Sequence, residues 1–132
     1  MNNHKLIEEA KRAREHAYAP YSLFKVGAAI LTKSGTIYTG ANIENGSYPL
    51  TCCAERIAIF KAISEGDCEF SHMAVVADSK QPVSPCGACR QVMAEFFDDD
   101  VTIYLANLND DIVSTSISKL LPNSFNLTQI KQ

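Results

Sequence analysis

The sequence predicts a three-layer α/β/α domain, in which a mixed sheet of roughly five strands is covered by helices on both faces. Apolar runs that suit buried strands alternate with segments whose apolar residues recur at helical spacing. The first two strands are separated only by a short turn, so they form an antiparallel hairpin and make the sheet mixed. The chain has 132 residues, of which 46% are hydrophobic, and this is enough for a single domain over residues 1–132.

The N-terminal half supplies a helix, a hairpin and a second helix. The apolar stripe of the first helix stops before Pro20, which cannot continue a helix, and Gly66 ends the second helix. The polar segment 33–36 forms the turn of the hairpin. In chain order, the elements are a helix over 4–18, strands over 24–31 and 36–41, a polar loop over 42–50 and a helix over about 53–65.

The C-terminal half continues the alternation of strands and helices. In chain order, its elements are a strand over 73–77, a loop over 78–82, a helix over about 86–97, strands over 101–105 and near 112–113, and a short helix over 116–121. Pro122 ends the last helix, and a polar tail that carries Phe125 follows it. Helices that alternate with strands in this way lie on both faces of the sheet.

The charge and hydropathy pattern excludes two classes of partner. The formal net charge is −3 and no basic run exceeds Lys11-Arg12, so the chain lacks the clustered basic face of a nucleic-acid-binding protein. No stretch approaches the roughly eighteen uninterrupted apolar residues of a membrane span, and residues 1–5 do not resemble a signal peptide. We therefore expect a cytoplasmic protein with no nucleic-acid and no membrane partner, which acts on a small, nearly neutral molecule.

Three cysteines and a glutamate carry the strongest functional signal. In a reducing compartment, the five cysteines of the chain favour metal binding or catalysis over disulfides. Cys53, Cys86 and Cys89 supply three thiolates for a Zn²⁺ ion, which leaves the fourth tetrahedral position for water. Glu55 follows the first of them by two residues and is placed to move protons for that water. A Cys-x-Glu followed by Pro-Cys-x-x-Cys is the signature of zinc-dependent nucleobase deaminases.

The predicted elements bring these residues to one edge of the sheet. Cys53 and Cys86 each begin a helix, where exposed N–H groups and the helix dipole lower the pKa of a thiol. Cys89 shares a helix face with Cys86, and the strand between the two helices returns the chain to the same edge. Three thiolates leave a zinc site with a net charge of about −1, which a guanidinium that donates to sulfur would offset. Arg56 is the first candidate for this role; Arg90 is the second, with local surface pairing as its alternative.

Two other classes of protein stay open as alternatives at this point. Cys86-Gly87-Ala88-Cys89 alone is also compatible with a dithiol redox protein or with a structural zinc site. The chain contains no Trp, the residue that usually precedes a thioredoxin dithiol. Cys52 competes with Cys53 as a ligand, although the Cys-x-Glu register favours Cys53. Adding Cys53 and Glu55 to the pair favours a catalytic zinc site.

Six segments along the chain also carry a family resemblance. They are Tyr18-Ala19-Pro20-Tyr21-Ser22, Phe24-Lys25-Val26-Gly27-Ala28-Ala29, Gly40-Ala41-Asn42-Ile43-Glu44-Asn45, Cys53-Ala54-Glu55-Arg56, Ser84-Pro85-Cys86-Gly87-Ala88-Cys89-Arg90-Gln91 and Leu120-Leu121-Pro122-Asn123-Ser124-Phe125. With these segments, the chain resembles the small, zinc-dependent, homotetrameric cytidine deaminases. The resemblance implies a cytidine deaminase-like fold, one Zn²⁺ per chain, and a homotetramer whose sites are completed by neighbouring subunits.

The resemblance further implies which residues contact the substrate, a small-molecule nucleoside. Asn42 and Glu44 are implied to hydrogen-bond the ribose 3′-hydroxyl, and Phe24 is implied to pack against the pyrimidine. Backbone groups of Ala54 and of residues 84–86 are implied to hold the base. From the residues alone, Asn42 is equally well explained as a turn residue and Glu44 as a solvated loop charge.

Two aromatic residues are implied to act across subunits. Phe125 is implied to stack on the base in a neighbouring subunit's site, and Tyr48 is implied to lie at a subunit boundary. From the residues alone, an aromatic side chain after Leu-Leu-Pro is better explained as part of the core.

The implied reaction is the hydrolytic deamination of cytidine and 2′-deoxycytidine to uridine and 2′-deoxyuridine with release of ammonia, a step of pyrimidine salvage. Glu55 is the expected catalytic residue, since it takes a proton from water and passes it to N3 and later to the departing amine. An alternative within the same class is deamination of a cytosine-bearing antibiotic such as blasticidin S, whose deaminases share this arrangement of cysteines and glutamate.

Overall fold

Within residues 3–125, which the computed structural model describes, the chain forms a five-stranded mixed sheet between two layers of helices. The strands are β1 (Val26–Thr32), β2 (Ile37–Ala41), β3 (Phe70–Ala77), β4 (Thr102–Asn107) and β5 (Ile112–Thr115). The helices are α1 (Asn3–Arg14), α2 (Ala54–Ser64), α3 (Gly87–Phe96) and the short α4 (Ile117–Leu120). This architecture confirms the predicted fold class. The predicted polar tail beyond Phe125 lies outside the described residues.

The sheet topology explains why two helices begin at the same edge. The strand order is β2-β1-β3-β4-β5, and β1 pairs antiparallel with both β2 and β3. β3 and β4 are parallel and are joined through α3, because parallel strands need a crossover connection, whereas β5 runs antiparallel to β4. β2 and β3 therefore end at the same edge of the sheet, and α2 and α3 both begin there.

Alternation along the strands divides the core between the two faces of the sheet. One face of the sheet packs against α1, and the core between them contains the buried residues Leu6, Ile7, Ala10, Ala29, Leu31, Ala74, Val76 and Ala106. The other face packs against α2, α3 and α4, and its buried members include Ala28, Ile30, Ala58, Ile59, Met73, Val75, Met93, Ile103 and Ile117. Successive residues of β1 thus serve opposite cores, which is the helix-covered sheet that the sequence predicts. Among residues 3–125, no helix combines the length and apolarity needed to cross a bilayer.

Gly40 allows the start of α2 to lie directly on β2. A Cβ atom at this position would lie 2.5 Å from the carbonyl oxygen of Ala54 and 2.6 Å from the amide nitrogen of Ala58. Such distances are far inside van der Waals contact, so only glycine permits this approach. The close packing fixes the first turn of α2 against the sheet, and this turn carries Glu55.

Several boundaries differ from those predicted. α1 ends at Arg14 instead of residue 18, because Tyr18 leaves the helix to pair with the chain after β2: its N–H donates to Asn42 O at 2.9 Å, and its carbonyl accepts from Glu44 N at 2.8 Å. The pairing of β1 begins at Val26 instead of residue 24, so Phe24 precedes the strand, whereas β3 begins at Phe70, three residues before the predicted start. The predicted polar loop contains a 3₁₀ turn over Tyr48–Leu50. The strand limits and the end of α1 depend on pairing with distant segments, which local periodicity does not record.

Candidate active site

The sulfur atoms of Cys53, Cys86 and Cys89 converge at the edge of the sheet where α2 and α3 begin. Cys53 is the N-cap residue of α2, Cys86 is the N-cap residue of α3, and Cys89 lies in the first turn of α3. Cys86 Sγ is 3.6 Å from Cys53 Sγ and 3.4 Å from Cys89 Sγ, and all three sulfurs lie within 4.8 Å of one another. Within the part of the chain that the structure describes, no other set of three ligating side chains comes together in this way.

The three thiols fit a zinc ion in both chemistry and spacing. Sulfurs bound to zinc at about 2.3 Å in tetrahedral geometry lie about 3.8 Å apart. The observed separations of 3.4 and 3.6 Å need only small side-chain shifts to reach that spacing. The group contains three protein ligands, the number that is typical of catalytic zinc sites, whereas structural sites usually have four.

The pKa values of two thiols in this group are shifted in opposite directions. Hydrogen bonding with the Cys89 thiol, supported by Arg56, lowers the pKa of Cys53 to about 5 although the thiol is half-buried. Hydrogen bonding with Cys53, together with burial, raises the pKa of Cys89. A thiolate that lies beside two further thiols at a helix N-terminus is well prepared to bind a divalent metal.

Glu55 is a buried carboxyl in the first turn of α2. Its side chain is only 4% exposed, and burial is the main reason why its pKa is raised to about 7. The negative charge of Cys53 acts in the same direction. A carboxyl whose pKa lies near neutrality can both accept a proton and return it, as a general acid–base catalyst must.

A cavity of about 270 Å³ opens beside the sulfur group. Seven of the predicted site residues line it, namely Phe24, Asn42, Glu44, Cys53, Ala54, Glu55 and Cys86. The remaining lining residues are Ser22, Val26, Thr51, Val83 and Ser84. The structure therefore brings two of the three predicted metal ligands, the predicted acid–base residue and most of the predicted nucleoside contacts to a single cavity. Its apolar walls with few exposed polar groups are typical of small-molecule sites.

Asn42 and Glu44 both make hydrogen bonds within the chain. The Asn42 amide donates to Phe24 O at 2.9 Å and accepts from Val26 N at 2.8 Å. The Glu44 carboxylate accepts from the N–H groups of Tyr21 and Ser22 at 3.0 and 3.1 Å and from the Ser22 hydroxyl. The hydroxyl contact is the main reason why the pKa of Glu44 is lowered, so this carboxylate stays ionised at neutral pH.

The two arginines contact different groups. Arg56 Nη2 lies 3.5 Å from Cys53 Sγ and 3.5 Å from Thr51 O, so it stands beside the sulfur that carries the charge. Its Nε atom is the one buried side-chain nitrogen or oxygen within residues 3–125 that lacks a hydrogen-bond partner.

Arg90 donates to oxygen atoms. Its Nε bonds Pro85 O at 2.9 Å, Nη1 bonds Leu120 O at 2.7 Å and Nη2 bonds the Ser84 hydroxyl. These contacts tie the loop before Cys86 to the end of α4, so Arg90 positions the loop that carries a predicted ligand.

Tyr48 and Phe125 lie outside the lining of this cavity. Tyr48 is 73% exposed and packs edge-on against Tyr21, with ring centroids 6.4 Å apart. Phe125 is 59% exposed, and its carbonyl accepts from the Gln91 side chain at 3.3 Å. Exposure of the Phe125 ring contradicts the alternative that it belongs to the core of a single chain.

Sequence reasoning did not assign individual roles to Ser22, Thr51 and Val83, which also line the cavity. Ser22 has the clearest local signal. A serine hydroxyl commonly accepts a hydrogen bond from the backbone N–H two residues further along the chain, and Phe24 N lies 3.0 Å from Ser22 Oγ. Thr51 caps the turn before α2, where Asn45 N bonds its hydroxyl at 3.2 Å. No local pattern marks Val83.

Three convergent cysteines, a buried glutamate and an adjoining cavity on an α/β/α sheet define a zinc-dependent deaminase. A family model described as "Cytidine and deoxycytidylate deaminase zinc-binding region" matches residues 1–105. The chain belongs to this family of zinc enzymes.

Comparisons with individual proteins agree with this assignment. The chain is 58% identical over 125 residues to the cytidine deaminase of Sporosarcina psychrophila, which covers 95% of this chain and 92% of that protein. The crystal structure of cytidine deaminase from Burkholderia pseudomallei superposes with a TM-score of 0.92 at 50% identity, over 95% of this chain and all of that one. The blasticidin-S deaminase of Bacillus cereus is more distant, at 37% identity over 105 residues and 74% of each chain.

Proposed function

We propose that this protein is a zinc-dependent cytidine deaminase, which hydrolyses cytidine and 2′-deoxycytidine to uridine and 2′-deoxyuridine and releases ammonia. The observation that carries the proposal is the convergence of Cys53, Cys86 and Cys89 at the edge of a cavity that a buried Glu55 lines. The three cysteines would hold one Zn²⁺ per chain. The identity to cytidine deaminases exceeds that to a blasticidin-S deaminase in both value and coverage, which favours cytidine over the antibiotic.

Each residue contributes a separate step. When bound, zinc supplies the Lewis acidity that makes water a nucleophile near neutral pH. Glu55 takes a proton from that water and delivers it to N3 of the pyrimidine, so that the water oxygen adds to C4. It then takes the proton of the new C4 hydroxyl and passes it to the amine, which leaves as ammonia while the C4 carbonyl forms. Arg56, 3.5 Å from Cys53 Sγ, draws charge from the sulfur and limits the loss of Lewis acidity that three thiolates cause. Phe24 forms an apolar wall for the base.

Charge around the cavity favours a nucleoside over a nucleotide, a distinction that matters because the family also includes deoxycytidylate deaminases. A second cavity of about 340 Å³ adjoins the first and shares Ser22, Glu44 and Thr51 with it. Among the described residues that line the two cavities there is no lysine or arginine. A 5′-phosphate would therefore find no cation among these residues to compensate its charge.

The quaternary structure and location belong to the same proposal. Large apolar side chains are exposed at Tyr48 and Leu50, in the loop beside the second cavity, and at Phe125, at the end of the described chain. Exposed apolar surface of this kind is typical of subunit contacts. We expect a homotetramer in which Tyr48 lies at a subunit boundary and Phe125 completes a neighbouring site. We also expect the enzyme to act in the cytoplasm, in pyrimidine salvage.

The central experiment combines turnover with metal analysis. Wild-type protein should contain about one zinc per chain and should lower the absorbance of cytidine while it releases ammonia, faster than it acts on blasticidin S. Glu55→Gln should keep the zinc and lose about 10²- to 10⁴-fold in kcat, because it cannot move protons. Glu65→Gln, at the exposed end of the same helix, is the matched control and should retain wild-type turnover. Near-normal kcat in Glu55→Gln would remove this residue from the mechanism.

A further inference from the structure

The peptide groups of Phe24 are held by side chains at both ends. Its N–H donates to Ser22 Oγ at 3.0 Å, and its carbonyl accepts from Asn42 Nδ2 at 2.9 Å. The same Asn42 side chain also holds Val26, the first residue of β1, whose N–H donates to Asn42 Oδ1 at 2.8 Å. The wall of the cavity is therefore anchored by specific side-chain hydrogen bonds before strand pairing begins.

Ser22 connects this wall to Glu44. The serine hydroxyl accepts from the Phe24 N–H and donates its own hydrogen to Glu44 Oε2, so one group uses its donor and an acceptor position together. A chain of hydrogen bonds that ends on a carboxylate is polarised along its length, and each bond strengthens the next. Through Ser22, the carboxylate predicted to contact the sugar also positions the aromatic residue predicted to contact the base.

The backbone between these anchors is strained. Leu23 has a φ of 60°, a left-handed conformation that a branched apolar residue rarely adopts. Its side chain is 82% exposed, so packing of the leucine does not compensate for the strain. The bonds of Ser22 and Glu44 on one side and of Asn42 on the other help to hold this turn, together with the Leu23 N–H, which donates to Ala19 O at 3.0 Å.

We propose that Ser22 is a positioning residue, which transmits the anchoring of Glu44 to the Phe24 peptide and so fixes the base and sugar contacts relative to each other. This inference rests on the proposed nucleoside deaminase function and deepens it. Ser22 acts through Phe24 and Glu44.

Glu44 and Asn42 each keep one hydrogen-bonding position that a ligand can use. Glu44 Oε1 already accepts two N–H groups, whereas Oε2 accepts only the Ser22 hydroxyl and retains one acceptor position. Asn42 Nδ2 uses one hydrogen on Phe24 O and retains the other. One acceptor and one donor remain, which is the complement of a single sugar hydroxyl that both donates and accepts. Without the Ser22 hydroxyl, Glu44 is held through Oε1 alone, and Oε2 loses the one side-chain donor that fixes it relative to Phe24.

The first test is steady-state kinetics of the zinc-loaded enzyme on cytidine. Ser22→Ala should raise KM about tenfold and leave kcat within about twofold, since the groups that move protons are unchanged. Ser22→Thr keeps the hydroxyl at an exposed position and should restore KM to within about twofold of wild type. Ser34→Ala is the matched control, because Ser34 is also exposed and bonds a side chain, Thr32, in the hairpin turn at the opposite end of β1. An unchanged KM in Ser22→Ala, or a loss confined to kcat, would overturn the proposal.

The second test does not depend on turnover. Amide hydrogen exchange followed by NMR should show that Ser22→Ala accelerates exchange of the Phe24 N–H about tenfold or more, because that hydrogen loses its acceptor. The Thr36 N–H, which bonds the Thr32 hydroxyl at 3.1 Å, is the internal reference and should not change. If wild-type enzyme failed to deaminate cytidine, the proposed function would be wrong, and unchanged exchange at Phe24 would separately refute the role of Ser22.

Discussion

Burial of Glu55 has a consequence for stability that can be measured apart from catalysis. The pKa of this carboxyl is raised to about 7 from its ordinary value of 4.5, chiefly by burial. A carboxyl with a raised pKa in the folded state stabilises that state below its unfolded pKa and loses this contribution as pH rises through the folded value. The window of the effect is therefore about pH 4.5 to 7, and the wild-type protein should become less stable across it.

The magnitude follows from linkage. With a pKa of about 7 when folded and 4.5 when unfolded, the Glu55 contribution falls by about 1 kcal/mol between pH 6 and pH 8. In Glu55→Gln the side chain has nearly the same shape but does not ionise, so this contribution is absent. The free energy of unfolding of the variant, relative to wild type, should therefore rise by about 1 kcal/mol between pH 6 and pH 8.

Urea unfolding of zinc-free wild type and variant at pH 6 and pH 8 measures this difference. Subtracting the free energy of unfolding of wild type from that of the variant removes the contributions of titrating groups that the two proteins share, provided that the chain concentration is the same. Glu65→Gln removes an exposed carboxylate at the end of the same helix, and its free energy of unfolding is measured at the same two pH values as the control. Identical pH dependence in wild type and Glu55→Gln would show that the carboxyl is solvated in the folded chain, and the argument from burial would fail.

Three further predictions address the metal ligands, the packing of α2 and the arginine. Cys53→Ala should lower bound zinc well below one per chain by metal analysis, whereas Cys52→Ala should not; the reverse would show that the ligand register is wrong. Gly40→Ala should lower the free energy of unfolding by about 3 kcal/mol or more, because the new Cβ would lie 2.5 Å from the carbonyl oxygen of Ala54. Gly87→Ala is the control and should be tolerated, because a Cβ at that position meets open space. Equal losses of stability in the two variants would refute the packing argument. Arg56→Gln should raise the pKa of the Cys53 thiol in zinc-free protein, as followed by thiolate absorbance, and an unchanged pKa would exclude the contact in solution.

The accuracy of the sequence-based predictions follows from the range of the interactions involved. Strands and helices were predictable because periodicity, Pro and Gly act locally, and the two helix starts that carry Cys53 and Cys86 follow from the order of those elements. The early end of α1 was not predictable, since it depends on pairing of Tyr18 with a segment more than twenty residues away. The contact of Arg90 with Leu120 O likewise joins residues thirty positions apart.

The contacts of Asn42 and Glu44 show why residue types alone do not reveal a role. Turn residue, loop charge and sugar ligand were competing explanations, yet the structure shows that the same amide and carboxylate anchor the backbone of residues 21–26. Such anchoring is compatible with ligand binding, because each group keeps one hydrogen-bonding position. A substitution at either residue therefore changes the shape of the cavity as well as its polar contacts, and KM alone does not separate the two effects.

Two costs in stability lie at the edge of the sheet where α2 and α3 begin. A buried carboxyl with a raised pKa and a left-handed Leu23 both make the folded state less favourable than an ordinary residue would. The cores on both faces of the sheet are built mainly from apolar side chains. The fold thus supplies stability from its two apolar layers and permits, at one edge, the unfavourable arrangement of charge that a proton-transfer site requires.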